Sequence, residues 1–276
     1  MNRLLAVLLV LLTMTSVCVR AEDDDGGEGT ISFVDAAQAD SFVSGGAPAS
    51  VEPFVPDDLE KIILGSDDRV KVKKPKEYPY SAIAYMVVKG SCKCNWTCTG
   101  FMVTKNTLLT AAHCMVCTKH GKWAKNITFY FGYKSKKNYR YRYKSRWQAW
   151  AGTTFPEHRY TSSDDWAVVK LDKNVGDKTG WFGMRFCTDS ELLGNSFCIA
   201  GFSGEAKLRY VWGTVTDVWE KQIGYDIDTL PGDSGSPVFD DNYYAVGIET
   251  NSSDTANFGQ RLRDEIRQVM VKNGLL

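Results

Sequence analysis

Gly232-Asp233-Ser234-Gly235-Ser236-Pro237 is the segment whose residue types come closest to a defined piece of chemistry. A serine hydroxyl is a poor nucleophile until a neighbouring base takes its proton. It also needs a concave turn whose backbone N–H groups face the negative charge that develops on an attacked carbonyl oxygen. Glycines on both sides of Ser234 permit such a turn, and Gly232 and Ser234 are the natural oxyanion donors. The base is to be sought among three histidines, His113, His120 and His158. His113 sits in Thr110-Ala111-Ala112-His113-Cys114, where small residues after an apolar run leave the imidazole at a strand end. His120 lies in a Lys/Gly loop and His158 in Pro156-Glu157-His158-Arg159, neither beside a motif. Asp165 opens the apolar run Trp166-Ala167-Val168-Val169, a position from which a carboxylate can hold a histidine tautomer and stabilise the imidazolium. A glycine-flanked serine alone is more often a plain turn, a single histidine a satisfied core residue and an acid at a strand start a cap. Three such motifs in the order His, Asp, Ser make coincidence a poor explanation. The order, and the absence of a Gly-x-Ser-x-Gly elbow, argue against a lipase or esterase.

The elements that must position these groups are short. Apolar or alternating runs recur between Gly, Asn and Asp: Ala82–Val88, Gly100–Val103, Thr128–Gly132, Trp166–Leu171, Ser196–Gly201, Val211–Val215, Pro237–Phe239 and Tyr243–Glu249. Regular short strands with turn signals predict an all-β barrel or sandwich. Leu262, Ile266, Val269 and Met270 recur at helical spacing before Gly274 and predict a C-terminal amphipathic helix over about 261–273.

The start of the chain differs. Arg3 followed by the apolar run Leu4–Val17, with Val19-Arg20-Ala21 as a small-residue cleavage site, reads as a secretory signal over 1–21. The run is too short to span a membrane, so no membrane partner is expected. Residues 22–61 carry eleven acidic residues against Lys61 alone, while 62–276 carry thirty basic against twenty-two acidic residues. The first piece is read as an acidic pro-segment with a short helix near Asp57–Ile62, the second as the mature domain. After the signal seven cysteines remain: Cys92, Cys94, Cys98, Cys114, Cys117, Cys187 and Cys198. In an exported chain these are disulfide candidates first. Cys92, Cys94 and Cys98 with Cys114 or Cys117 offer a zinc-site reading second. No cofactor and no metal are expected, and the odd count leaves one thiol over.

Taken together the motifs resemble a chymotrypsin-like serine protease, and within that group the bacterial-type glutamyl endopeptidase branch. The resemblance runs from Ile62 to about Leu262. It includes Ile62-Ile63-Leu64-Gly65-Ser66-Asp67-Asp68-Arg69 as the mature start, Tyr78-Pro79-Tyr80, and Asp228-Thr229 before the nucleophile. It implies an all-β fold of two six-stranded antiparallel β-barrels, about 78–172 and 173–260, with the active site between them. It aligns Asp165, not Asp164, with the catalytic aspartate. It pairs Cys98 with Cys114 beneath the histidine. Beside that bridge, Cys187 and Cys198 are expected to close a local hairpin and Cys117 to pair with Cys92 or Cys94. What it implies in function is a secreted, monomeric serine endopeptidase acting on peptide or protein substrates.

Two departures bear on specificity and activation. The branch binds a substrate carboxylate with a pocket threonine and a pocket histidine. Thr229 matches the threonine, but the histidine position carries Glu249, followed by Thr250. A carboxylate there repels an acidic side chain by on the order of 1–4 kcal/mol, so basic or neutral polar P1 residues are expected, with Asp228 beside the pocket base. Asp233 precedes the serine, as in the trypsin branch, where that aspartate receives a new N-terminus. Cutting Lys61–Ile62 by an activating protease is therefore expected to pair the Ile62 ammonium with Asp233. The segment Lys134–Arg146, with seven basic residues and Tyr139, Tyr141 and Tyr143, reads as a strand with one cationic face. It reads first as a solvated strand or a docking surface for the pro-segment and second as a contact for a polyanion, and the alternative to an enzyme is an inactive protease-fold binding protein that uses it. Asn95, Asn126 and Asn251 stand in glycosylation sequons, the last expected to be unmodified.

Overall fold

The computed structural model describes residues 63–117, 119–152, 164–203, 206–253 and 255–276 with their surroundings, and the backbone of the strands Val19–Arg20 and Gly29–Val34. Two β-structures follow one another in sequence. In the first, strands Lys122–Phe131, Ile83–Gly90, Asn95–Met102, Thr107–Thr110, Ala167–Leu171 and Trp147–Gly152 lie side by side in that order, each antiparallel to the next. In the second, strands Ser196–Ser203, Lys207–Val218, Gln222–Tyr225, Asn257–Arg261, Tyr244–Ser252 and Pro237–Phe239 form a ring, because Pro237–Phe239 pairs back with Ser196–Ser203.

The C-terminal barrel is thus closed. The N-terminal sheet curls into a half-barrel without a ladder joining its outer strands among the described residues, which together with the closed barrel gives the expected two-barrel architecture. Its outer edge, Trp147–Gly152, pairs in parallel with Gly29–Val34, a strand contributed by the acidic leader. The leader's weak hydrophobic pattern predicted no strand there. The helix expected near Asp57–Ile62 lies outside the described residues.

Alternation along the strands decides what faces what. On Ser196–Ser203, Phe197 and Ile199 join Val211, Val215, Ile223, Tyr225, Val238 and Val246 inside the closed barrel. Cys198, Ala200 and Phe202 face the other way, into a larger core shared with the N-terminal sheet and the C-terminal helix. That helix runs Asp264–Lys272 and buries Ile266, Val269 and Met270. Its following residue pair returns to the first sheet, where Thr107 Oγ1 donates to the Leu275 carbonyl at 3.4 Å.

This alternation overturns one expected disulfide. Cys187 packs with the interior of the closed barrel, whereas Cys198 points to its outside, so the two thiols belong to different cores. Both are free and buried. Burial pushes the Cys198 thiol up to about 12 and raises that of Cys187, which keeps both protonated and poorly reactive. The Cys98–Cys114 bridge is formed, with Cα atoms 5.8 Å apart. The basic segment also differs from its expected form. It is a tight hairpin bridged at Ser135 and Asn138, followed by only three strand residues, Tyr141–Tyr143.

Alkylation of the denatured, unreduced protein should label Cys187 and Cys198 while leaving Cys98 and Cys114 linked. A peptide joining Cys187 to Cys198 in the digest would overturn the two-core assignment.

Candidate active site

His113 lies in a short 3-10 turn, Ala112–Met115, that follows strand Thr107–Thr110. The neighbouring strand Ala167–Leu171 pairs antiparallel with Thr107–Thr110, with Ala167 opposite Thr110. That register puts Asp165, two residues before the strand, beside the turn. Asp165 Oδ2 is 2.7 Å from His113 Nδ1, and Asp165 Oδ1 accepts the His113 backbone N–H at 2.9 Å. One carboxylate therefore fixes both the ring and the backbone of the same residue. His113 and Asp165 are both buried, so solvent screens this contact little. A proton held on Nδ1 by the carboxylate leaves Nε2 as the free base.

Asp164 turns elsewhere. Its Oδ1 meets Lys221 Nζ at 3.1 Å and Arg263 Nη2 at 3.0 Å. Adjacent aspartates thus do different work, one facing the histidine and the other tying the loop to the C-terminal half.

Ser234 sits on the turn between Leu230 and strand Pro237–Phe239. Gly232 and Gly235 adopt φ of 103° and 84°, where a side chain is strained. At Gly235 a Cβ would also overlap the Thr99 carbonyl and the Thr110 hydroxyl. The turn is held from the opposite half by one residue. Thr99 Oγ1 donates to the Gly232 carbonyl at 2.8 Å and accepts the Phe202 N–H at 2.9 Å. The Thr99 N–H donates to the Ser234 carbonyl at 2.9 Å, and Cys114 Sγ lies 3.4 Å from that same oxygen. Among the described residues no acceptor meets the N–H groups of Gly232 and Ser234, which leaves both available to an oxyanion. Ser234 Oγ lies 3.5 Å from the Thr250 carbonyl, a distance at the outer limit of a hydrogen bond.

The aspartate before the nucleophile already has a cation. Arg69 Nη1 lies 3.3 Å from Asp233 Oδ2, with both side chains buried, and the Leu230 N–H donates to the same carboxylate at 2.9 Å. Arg69 thus supplies a buried cation to Asp233 in the uncut chain, so the cost of burying that carboxylate does not by itself call for the Ile62 ammonium. Ile62 and Lys61 lie outside the described residues. Asp228 takes the neighbouring segment instead, accepting the N–H groups of Leu64 at 2.7 Å and Asp68 at 3.0 Å. Its carboxylate is engaged by these two backbone donors.

Thr229 is fully buried and its hydroxyl has no hydrogen-bond partner. An orphaned buried hydroxyl is costly unless something meets it, which marks this position as one that a ligand can complete. Glu249 is also fully buried, and its carboxylate accepts from the Tyr225 hydroxyl. The Thr250 hydroxyl donates to the Phe258 carbonyl at 3.2 Å and to Asn251 Oδ1 at 3.1 Å.

Of the basic segment, Arg142 and Lys144 join Lys89 and Tyr130 around a pocket on the outer face of the N-terminal sheet. Asn126, one of the sequon residues, lines the same pocket. Thr99 and Tyr225 escaped the sequence reading, and Arg69 entered it only as the end of the mature-start motif. Thr99 was detectable only as the residue after Cys98. Tyr225 carries no local signal because its partner Glu249 lies 24 positions away, and the local pairing of Arg69 with Asp67 does not reveal its reach to Asp233.

Comparison with known proteins places this geometry. The trypsin-like peptidase domain matches residues 98–248, more than half of the chain. A glutamyl endopeptidase of Bacillus licheniformis is 32% identical over 65% of this chain and 55% of its own length. An extracellular metalloprotease of Bacillus subtilis is 29% identical over 74% of this chain and 67% of its own. The chain thus spans between about half and two thirds of these relatives. A Glu endopeptidase solved in complex with MPD superposes with a TM-score of 0.69 at 25% identity, covering 78% of this chain and 99% of that one. An HL collagenase structure, at 16% identity and a TM-score of 0.61, shares the fold. The chain belongs to the trypsin-like peptidase family, with the chymotrypsin-like two-barrel fold and its likeness to the glutamyl endopeptidase branch.

Proposed function

We propose that the protein is an exported serine endopeptidase, made as a precursor, that cleaves peptide or protein substrates through Ser234, His113 and Asp165. The observation that carries this reading is the double contact of Asp165 with His113, beside a nucleophile turn whose Gly232 and Ser234 amides are free. In this mechanism His113 Nε2 takes the Ser234 proton as Oγ attacks the scissile carbonyl. The tetrahedral oxyanion rests on the Gly232 and Ser234 amides. His113 then returns the proton to the leaving amine, giving an acyl-enzyme. Water, deprotonated by the same imidazole, releases the acid and restores the serine. Asp165 stabilises the transient imidazolium throughout.

Ser234→Ala or His113→Ala should lower kcat by about 10⁴–10⁶. Asp165→Asn should cost about 10⁴ in kcat, whereas Asp164→Asn should leave turnover nearly unchanged and lower stability by about 1–3 kcal/mol. Steady-state kinetics beside thermal melts of both aspartate variants would separate the roles, and a larger kinetic loss at Asp164 would reverse the assignment.

For specificity, Thr229 and Glu249 form the P1 pocket in this reading. The buried Glu249 carboxylate disfavours an acidic side chain, so P1 Gln or a basic residue should exceed P1 Glu by at least about tenfold in kcat/KM. Glu249→Gln should narrow that gap. Profiling both proteins on one peptide library tests this, and a strong P1 Glu preference in the unaltered protein would overturn it.

Activation is proposed to follow cleavage at Lys61–Ile62. The new ammonium, with an ordinary pKa near 7.7–8.0, is mostly charged at neutral pH. It would arise two residues from Leu64, whose amide Asp228 holds next to Thr229, so the cut acts on the pocket end of the site. A Lys61→Gln precursor that stays uncut should be roughly tenfold or more less active than the enzyme starting at Ile62, the effect of biasing a two-state loop by a few kcal/mol. Equal activity, with N-terminal sequencing showing residue 61 intact, would reject this step. The same reading keeps the pocket of Lys89, Arg142 and Lys144 as a secondary contact for a polyanion or the acidic leader.

A further inference from the structure

Two loops on the N-terminal sheet bring four metal-ligating side chains together. The first is the hairpin between strands Ile83–Gly90 and Asn95–Met102, which carries Cys92 and Cys94. Lys93 between them has φ of 69°, and the Lys93 N–H donates to the Gly90 carbonyl at 3.1 Å. This left-handed residue folds the Cys-x-Cys unit so that both thiols lie on one side. The second loop follows strand Val116–Cys117, where the N–H groups of His120 and Gly121 both bond the Cys117 carbonyl, at 3.2 and 2.8 Å. That turn carries His120 back over Cys117. A bond from the Ser91 N–H to the Trp123 carbonyl, 3.1 Å, holds the two loops side by side.

The Sγ atoms of Cys92, Cys94 and Cys117 and a ring nitrogen of His120 all lie within 4.8 Å of one another. His120 Nδ1 is 3.3 Å from Cys94 Sγ and 3.5 Å from Cys117 Sγ. In tetrahedral zinc, with bonds of about 2.3 Å to sulfur and about 2.0–2.1 Å to nitrogen, ligand atoms stand about 3.5–3.8 Å apart. The four donors therefore already have nearly the spacing of the corners of such a site. We infer that Cys92, Cys94, Cys117 and His120 form a structural Cys₃His zinc site.

The bridge expected between Cys117 and Cys92 or Cys94 would use two of these groups and strand a third thiol and an imidazole beside it. All three cysteines are free. Three converging thiolates repel one another, and a divalent cation removes that repulsion. Three thiolates, neutral His120 and Zn²⁺ carry a net charge of −1, which Lys93, Lys119 and Lys122 in the same two loops offset.

The site would brace the catalytic turn. Cys117 lies four residues after His113, and Trp96, two residues after Cys94, donates from Nε1 to the Cys114 carbonyl at 2.9 Å. Zinc would close the far end of this arrangement, as the Cys98–Cys114 disulfide closes the near end. This role is separate from the proposed hydrolysis, because it places no metal at Ser234.

The test is elemental analysis of the exported full-length protein, purified without chelator, together with Co²⁺ titration of the zinc-stripped protein. One zinc per chain and a tetrahedral cobalt spectrum with thiolate charge-transfer absorption are expected. Cys94→Ser should abolish that absorption. His120→Ala, at an exposed residue whose loss spares the core, should weaken zinc retention more than about 100-fold, beyond the effect of losing an outer hydrogen-bond partner. Peptide mapping that finds Cys117 disulfide-linked to Cys92 or Cys94, or cobalt bound without thiolate absorption, overturns the site.

Discussion

Thr99 is the point on which the site depends. Its hydroxyl and backbone reach from the N-terminal sheet to three places on the other half: the Gly232 carbonyl, the Ser234 carbonyl and the Phe202 amide. The carbonyl of the same residue accepts from Thr110, which ends the strand leading to His113. One fully buried residue thus relates the histidine strand to the nucleophile turn. The bonds to Phe202 and Thr110 are buried, where leaving a group unpaired costs about 1–3 kcal/mol. The Cys98–Cys114 bridge next to Thr99 removes the remaining freedom between that strand and the His113 turn.

Charge is arranged around this frame in buried pairs of distinct purpose. Arg69 neutralises Asp233 under the nucleophile turn, and Lys221 with Arg263 neutralises Asp164 beside Asp165. Because Asp164 is engaged by two cations, it does not compete with Asp165 for His113. Asp228 and Glu249 are engaged by backbone amides and by the Tyr225 hydroxyl respectively. The buried acids thus have partners from distant parts of the chain, which explains how so many sit in one small region.

The candidate site was legible in the sequence wherever its signal is local. His113 in Ala111-Ala112-His113-Cys114 and Asp165 opening an apolar run are read from a few adjacent residues, and the structure brings these two together. Ser234 is read from its neighbouring glycines, Gly232 and Gly235, both of which take positive φ. The all-β class followed from alternation, and the C-terminal helix from the spacing of Ile266, Val269 and Met270. What escaped depends on distance in the chain. Strands Trp147–Gly152 and Gln222–Tyr225 are too short or too mixed to show a pattern alone. Cys187 and Cys198 are near in sequence but not paired, because nearness does not report which face of Ser196–Ser203 a side chain takes. The partners of Asp233 and Asp228 could not be read, since Arg69 and Leu64 lie about 160 residues upstream.

The contacts of the last helix have a consequence for the order of folding. The Leu275 carbonyl accepts from Thr107 on the strand that leads to His113, and Arg263 reaches Asp164 beside the histidine's carboxylate. These partners stand 168 and 99 positions apart. Closing loops of that length costs entropy before the contacts repay it. The region around His113 therefore gains these two supports only after the second barrel and its helix have come to rest against it.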